Sequence, residues 1–228
     1  MKREIIITSD GSKTIFLPEW NEHYHSKHGA IQEAYHVFIK HGLYHFCHPE
    51  HVTQPHRSIS ILEIGFGTGL NAFITLLEAE KLGLSIDYVG VEAFPVKKDE
   101  VLQLNYPTQL SAEKKSNIFK KMHEVSWEES HVFPNNFKLT KRQLDFFKIA
   151  DKEKYNLIYF DAFGPRVQPE LWTESMFKKM YDTLHENGVL VTYSAKGSVR
   201  RAMQTVGFNV EKCPGPPGKR EMLKAFKC

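Results

Sequence analysis

The chain has 228 residues, 41% hydrophobic and 25% charged, with a net charge of +3: room for one well-buried domain, and not the composition of a disordered or fibrous chain. Its cysteines, Cys47, Cys213 and Cys228, form no CxxC pair, which excludes a disulfide framework and fits a reducing, cytoplasmic setting. No apolar run approaches about 18 residues, so no membrane span is expected, and the apolar stretch at the N-terminus is too short for a signal peptide.

Residues 4–17 read as a hairpin turning at Asp10-Gly11, with Pro18 stopping its second strand. From Gly29 to about Phe46, Ala30, Ala34, Val37, Phe38 and Leu43 recur at helical spacing. Residues 47–58 hold Pro49, Pro55 and several histidines and read as a linker. They divide an N-terminal extension, 1–56, from a main domain, 57–228. Ile59–Ile64 is an apolar run entering a glycine turn. A helix follows over Asn71–Leu82, then a strand over Ile86–Val91 that ends in Glu92. Phe137–Thr140 is a weaker strand and Tyr155–Phe160 a strong one, ending in Asp161. Pro169–His185 reads as a helix with Gly188 just past it, Val189–Tyr193 as a strand, and Ser198–Val206 as a helix closed by Gly207. Phe208–Lys212 and Met222–Phe226 are a last strand pair joined by a Pro/Gly loop. Alternating strands and helices predict an α/β fold. It is a doubly wound, mostly parallel, Rossmann-like sheet of seven strands with an antiparallel edge, preceded by the hairpin-plus-helix extension.

In such sheets ligands bind beyond the carboxyl ends of the strands. The strongest local signal lies there: Glu63-Ile-Gly65-Phe66-Gly67-Thr-Gly69-Leu-Asn71. Alternate glycines permit unusual dihedrals and close backbone approach, and the helix start offers free N–H groups. The pattern is G-x-G-x-G, neither the dinucleotide G-x-G-x-x-G nor a P-loop. Read alone it is also compatible with a plain tight turn. Glu92 follows the next strand and suits a pair of ribose hydroxyls. Asp145 follows the third and could meet an adenine edge. Nine of twelve histidines fall between His23 and His56, and His41 and His45 lie at i, i+4 with His48 and His51 beyond. No carboxylate or cysteine pattern completes a metal set, so no metal is expected. Charge is uneven. Residues 196–228 carry eight bases against two acids, and Lys114, Lys115, Lys120 and Lys121 form a second basic cluster. This suits a polyanion such as RNA, or a merely solvated face.

The glycine loop with Glu63, Glu92 and Asp145 resembles the S-adenosylmethionine site of class I methyltransferases. Three further stretches sharpen this: Asp161-Ala-Phe163-Gly-Pro165-Arg-Val-Gln-Pro-Glu-Leu-Trp172, Lys196-Gly-Ser-Val-Arg200-Arg201, and Pro214-Gly-Pro-Pro-Gly-Lys219-Arg220-Glu-Met222. Together with the loop they closely resemble the MnmC family of tRNA methyltransferases, and Tyr24-His-Ser to His36-Val-Phe is similar to that family near its start. The resemblance implies methylation of 5-aminomethyluridine, or its 2-thio form, at the tRNA wobble position. It implies S-adenosylmethionine as cofactor, held by Glu63, Gly65, Phe66, Gly67, Gly69, Asn71, Glu92 and Asp145. Bifunctional members carry a fused flavin oxidase domain, and this chain is expected to act without one. It departs from them in having Ala162 after the motif aspartate.

On that reading Asp161 is the catalytic residue that binds and deprotonates the acceptor amine. Phe163, Pro165 and Trp172 would wall a pocket for the flipped base, and Arg200, Arg201, Lys219 and Arg220 would meet phosphates of the anticodon stem-loop. The competing readings are a class I methyl- or aminopropyltransferase acting on a small amine, and a non-catalytic RNA-binding scaffold.

Overall fold

The computed structural model describes residues 2–47 and 58–228; the predicted 56/57 boundary, His48, Pro49, His51 and Pro55 lie outside them. The hairpin forms as read. Strands β1 (Glu4–Ile7) and β2 (Lys13–Leu17) pair antiparallel, and a two-residue β3 (Glu22–His23) completes a small sheet. Asp10 builds its turn: Oδ1 accepts from the Ser12 N–H at 3.1 Å and the Thr8 hydroxyl at 2.8 Å. Its Oδ2 accepts from the Gln32 N–H at 3.1 Å, in α1 (Ala30–Ala34), so one carboxylate joins hairpin to helix. The predicted helix continues as a π-helical stretch, Tyr35–Lys40, and a 3-10 turn, Leu43–Phe46. Asn105 docks the hairpin tip on the main body, donating to the Gly11 carbonyl at 2.9 Å and accepting from the Lys13 N–H at 2.8 Å.

The main sheet starts with β4 (Ser58–Ile64), followed by α2 (Leu70–Leu82), β5 (Ser85–Glu92), α3 (Lys98–Val101), α4 (Tyr106–Gln109) and α5 (Ser116–Glu124). Next come β6 (Ser130–Phe133), β7 (Phe137–Gln143), β8 (Tyr155–Phe160), α6 (Glu174–Thr183) and β9 (Leu184–Thr192). The last elements are α7 (Gly197–Thr205), β10 (Asn209–Pro214) and β11 (Glu221–Phe226). Among the described residues the sheet has eight strands, in the order β10-β11-β9-β8-β4-β5-β7-β6. The five central strands are parallel and both edges are antiparallel. The eighth strand beyond the predicted seven is β6. Its Ser130-His-Val-Phe133 sequence shows too little apolar alternation to stand out, and pairing with β7 is what orders it.

Two predicted boundaries shift. Pro169–Trp172 is a 3-10 turn, and α6 begins only at Glu174. Gly188 lies inside β9, not beyond a helix end. Asn187 before it takes φ +61°, and the pairing of β9 with β8 slips there, as at a bulge.

Apolar side chains fill both faces of the sheet. One layer packs α1, α2 and α5 against it, the other α6 and α7. Helix α2 is buried almost all round, because the N-terminal extension covers the side that normally meets water. Its Glu78 is therefore buried, and it is satisfied by Lys81, the Tyr35 hydroxyl at 3.0 Å and the Tyr44 hydroxyl at 2.8 Å.

Order reverses at β4: the chain runs outward through β5 and β7, then returns to β8 on the other side. Beyond the ends of β4 and β8 lies the crevice such sheets use for ligands. Backbone bonds pin the tips: Gly65 and Phe66 N–H both donate to the Val91 carbonyl at 3.0 Å, and Asp161 N–H to the Ile64 carbonyl at 3.0 Å. Gly90 of β5 leaves room for the Phe66 ring, since a Cβ there would sit 2.4 Å from a ring carbon. Gly90→Val should therefore lower stability by about 1–3 kcal/mol through overpacking, read as a shifted denaturant midpoint; an unchanged midpoint would show that Phe66 can move freely.

Candidate active site

A cavity of about 1830 Å³ opens at the crevice. Its floor is the glycine loop with Asn71, Glu92, Asp145 and Asp161, and its opposite wall is the N-terminal extension, residues 2–28. Gly65 takes φ +91°, and a Cβ on it would lie 2.7 Å from the Asp161 carbonyl, so only glycine lets the two loops cross this closely. Gly67, φ +49°, faces the Tyr24 ring, which a Cβ would approach to 3.2 Å. Gly69 lies under the loop at the start of α2, against His123, and does not line the cavity.

Asn71, in the first turn of α2, ties the site together. Its Nδ2 donates to Glu63 Oε1 at 2.9 Å and to Asp161 Oδ2 at 2.8 Å. Glu63 is fully buried, and burial pushes its carboxyl well above the usual carboxylate range, with the Asp161 charge adding to it. Burial also raises the half-buried Asp161, Glu33 adds to the rise, and Asn71 and Lys219 oppose it. Glu63 Oε2 and Asn71 Oδ1 are buried without a hydrogen-bond partner. Asn71 Oδ1 borders the cavity and suits an incoming donor, whereas Glu63 Oε2 lies behind it, near the Tyr88 hydroxyl.

Glu92 ends β5 as predicted. Its Oε2 accepts from the Gly67 N–H at 3.0 Å and its Oε1 from the Phe94 N–H at 2.9 Å. Each oxygen keeps a lone pair for a further donor. Burial raises this carboxyl, while the two N–H groups and the nearby Arg3 restrain the rise. Asp145 is exposed on the cavity rim and accepts from the Phe147 N–H at 2.9 Å.

Not all predicted residues belong to the cavity. Phe66 contributes its loop position, but its ring is buried against Gly90, His123 and Trp127. Phe163 does line the cavity, edge-on to Trp20 at 5.6 Å and to Tyr24 at 5.0 Å. Trp172 is placed differently from the expectation. It is 5% exposed among Phe160, Phe177 and Tyr193, and its indole N–H donates to the Phe163 carbonyl at 2.8 Å. Trp172 thus supports the loop bearing Phe163 from inside the core and is no pocket wall. Pro165 and Arg220 line a smaller neighbouring pocket of about 520 Å³. Lys219 lines both, but its ammonium is engaged within the chain, paired with Glu33 and 3.8 Å from the Tyr193 ring centroid. Arg201 is exposed on α7, and Arg200 is half-buried with Nε unpartnered.

The extension supplies residues that the sequence alone did not mark for the site: Arg3, Trp20, Tyr24, His25 and Glu33. Arg3 reaches the carbonyls of Phe94 and Pro95 and the Glu100 carboxylate at 3.0 Å. Arg166, in the loop after β8, binds the Trp20 and Asn21 carbonyls and the Glu22 carboxylate. Burial lowers both His25 and His123 to about 4, so both are neutral beside Thr68 of the glycine loop. Among the described residues no group of three or more His, Cys, Asp or Glu is arranged to hold a metal ion, and no helix is long and apolar enough to cross a membrane.

Comparison with known proteins agrees with this geometry. Residues 113–228 match the model of a family described as S-adenosyl-L-methionine-dependent methyltransferase. Among curated proteins, the chain is 27% identical over 212 residues to the tRNA 5-methylaminomethyl-2-thiouridine biosynthesis bifunctional protein MnmC of Hydrogenovibrio crunogenus, covering 87% of this chain and 30% of that protein. Its counterpart in Idiomarina loihiensis is 29% identical over 215 residues, covering 88% and 34%. The chain thus spans about a third of the length of these relatives. Among solved structures, MnmC2 from Aquifex aeolicus superposes with a TM-score of 0.79 at 27% identity, over 98% of this chain and 70% of that one. Spermidine synthase from Thermotoga maritima shares the fold at a TM-score of 0.54 and 14% identity, over 100% of this chain and 72% of that one. The chain belongs to the S-adenosyl-L-methionine-dependent methyltransferase family.

The donor set suits that cofactor, which is cationic at its sulfonium and ammonium: Asn71 Oδ1 is an unpartnered acceptor in the floor, the Asp161 and Glu92 carboxyls line the cavity with it, and Glu63 is buried behind Asn71. A test follows from Glu63. The folded protein holds a proton there that the unfolded chain releases above about pH 4.5, so this group lowers stability as pH rises until it ionises in the folded state too. The stability of Glu63→Gln relative to the wild type should therefore increase as pH rises above about 4.5 in urea unfolding of the ligand-free protein. A pH-independent difference would refute the buried proton.

Proposed function

We propose that this methyltransferase methylates the amine of 5-aminomethyluridine, or its 2-thio form, at the wobble position of tRNA, giving the 5-methylaminomethyl product. The observation that carries the reading is Asp161, held by Asn71 at 2.8 Å and opening into a cavity beside the Phe163, Trp20 and Tyr24 rings. A carboxylate next to aromatic faces is what an extruded base bearing a cationic amine needs. The relatives' name, biosynthesis of tRNA 5-methylaminomethyl-2-thiouridine, supports the same substrate. A cytoplasmic setting follows from a tRNA substrate.

The cofactor would lie across the glycine loop, with Glu92 toward the ribose hydroxyls, Asp145 near the adenine, and Glu63 and Asn71 toward the methionine end. When bound, S-adenosylmethionine supplies an electrophilic methyl group on a sulfonium and leaves as S-adenosylhomocysteine. Asp161 binds the acceptor ammonium and takes the proton that must leave before nitrogen can attack. An ordinary carboxylate is a weak base toward an ammonium; burial raises the proton affinity of Asp161 and narrows that gap. Asn71 fixes the Asp161 carboxylate through Oδ2, and Trp20, Tyr24 and Phe163 exclude water from the acceptor end.

The anticodon stem-loop would lie over the exposed basic side chains beside the smaller pocket: Lys196 and Arg220, with Arg201 on α7. These are the residues expected to meet phosphates; Lys219, turned inward, is not.

Labelled methyl should pass from S-adenosylmethionine to tRNA bearing unmethylated aminomethyluridine and not to fully modified tRNA. Asp161→Ala should slow that transfer by about 10²–10⁴-fold. Unchanged turnover in Asp161→Ala would remove its catalytic assignment, and label on neither tRNA would return the small-amine reading. Arg201→Glu and Arg220→Glu should weaken stem-loop binding and lower the slope of log affinity against log salt by about one for each phosphate that is no longer neutralised.

A further inference from the structure

Glu33 is a buried carboxylate on the cavity wall. It sits in α1, outside the main sheet, with its side chain 8% exposed. Its Oε2 accepts from the Ser26 N–H at 2.8 Å and its Oε1 takes the Lys219 ammonium. The ammonium lies over the Tyr193 ring, 3.8 Å from its centroid. The Tyr193 hydroxyl donates to the Ala162 carbonyl at 2.8 Å, the residue next to Asp161. Glu33, Tyr193, Lys219 and Asp161 all line the main cavity, and the charge of Glu33 is felt at Asp161.

Together these make a cation site: one carboxylate and an aromatic face hold a primary ammonium, with the Asp161 carboxyl near enough for that charge to be felt. The ammonium comes from a side chain that is able to leave. Lys219 is 32% exposed and sits in the Pro/Gly turn between β10 and β11. The turn touches the extension where the His36 Nε2 meets the Pro214 carbonyl at 2.7 Å and where Gly218 lies against His28. A lysine ends in the same CH2–NH3⁺ group as an aminomethyl substituent.

We propose that Glu33, with Asp161 and the face of Tyr193, is the recognition site for the acceptor's ammonium, and that Lys219 fills this site until the acceptor displaces it. The inference rests on the proposed acceptor. Glu33 is then a specificity-determining residue. It selects bases bearing a cationic amine over otherwise identical bases without one, because a neutral substituent would displace Lys219 and leave Glu33 buried and unpaired. Lys219 sets the acceptor's apparent affinity by competing for the same partners.

The test compares two anticodon stem-loop RNAs, identical except for 5-aminomethyluridine or 5-methyluridine at the wobble position. Calorimetry measures their binding to the full chain saturated with S-adenosylhomocysteine, so phosphate contacts cancel in the ratio. The wild type should prefer the aminomethyl RNA. Lys219→Met should raise that preference, and Glu33→Gln should reduce it, each by about tenfold, the scale of one charge-assisted contact. The double variant Glu33→Gln/Lys219→Met, whose unfolding midpoint is checked alongside, should keep the reduced preference of Glu33→Gln, because Asp161 and Tyr193 remain and Lys219 competes chiefly for Glu33. The exchange Glu33→Lys/Lys219→Glu keeps a pair across the same gap and should not restore the preference. If the exchange restores it, or Glu33→Gln leaves it unchanged, the pair is a structural latch and the inference falls. Equal binding of both RNAs by the wild type would overturn it as well. A preserved preference without methyl transfer would overturn only the proposed reaction.

Discussion

One amide nitrogen holds the site in register. Asn71 Nδ2 donates to Glu63 at the end of β4 and to Asp161 just past β8, the two strands between which the sheet reverses its order. Two carboxylates this close would repel if both were charged, and burial already favours their protonated forms. A shared donor between them is the arrangement that leaves neither bare. It uses both Nδ2 hydrogens and leaves Asn71 Oδ1 and Glu63 Oε2 without partners. A cationic donor entering the floor would satisfy Asn71 Oδ1 and favour the charged form of Asp161, which lines the cavity beside it.

Around that centre the sheet supplies only half of the cavity. The other half is the N-terminal extension, fastened to the body at the Asn105 contacts of the hairpin tip, at Arg3 and at Arg166. Its Tyr24 ring rests on Gly67, so the same glycine that opens the loop to a ligand also seats the wall above it. The extension therefore belongs to the active site as fully as the glycine loop does. It also accounts for the burial of α2, since a helix covered on its outer side has no polar face to keep.

The sheet was legible because its signals are local. Apolar runs such as Tyr155–Phe160 are flanked by glycine or acidic residues, and the site lies where those residues cluster. Glu63, Gly65, Gly67, Asn71, Glu92, Asp145 and Asp161 all meet at one sheet edge, as expected of residues that end strands or start helices. What the sequence concealed is long-range. Glu33 carries no local mark of a site, and only the fold brings Lys219, 186 residues away, against it. Trp172 reads as a base platform until Phe160 and Phe177 surround it. Trp20 and Tyr24 follow a proline in a short, polar stretch with no period, and only the folded extension turns them toward Phe163. Strand β6 escaped for the same reason, because its partner β7 and not its own pattern makes it a strand.

Burial removes two positive charges from beside the glycine loop. The two histidines that touch Thr68 are held neutral by burial, near 4, where a protonated ring would oppose a cationic ligand. At the acceptor end the Lys219 ammonium is bound to a carboxylate and an aromatic face, on a turn at the molecular surface. In the proposed reaction a positive sulfonium and a positive amine must approach each other before a methyl group can move between them. A cavity floored by carboxylates and flanked by neutral histidines lowers the work of bringing the two cations together. On the proposed reaction the acceptor amine must still lose its proton, and the raised proton affinity of Asp161 would meet that demand at the same place.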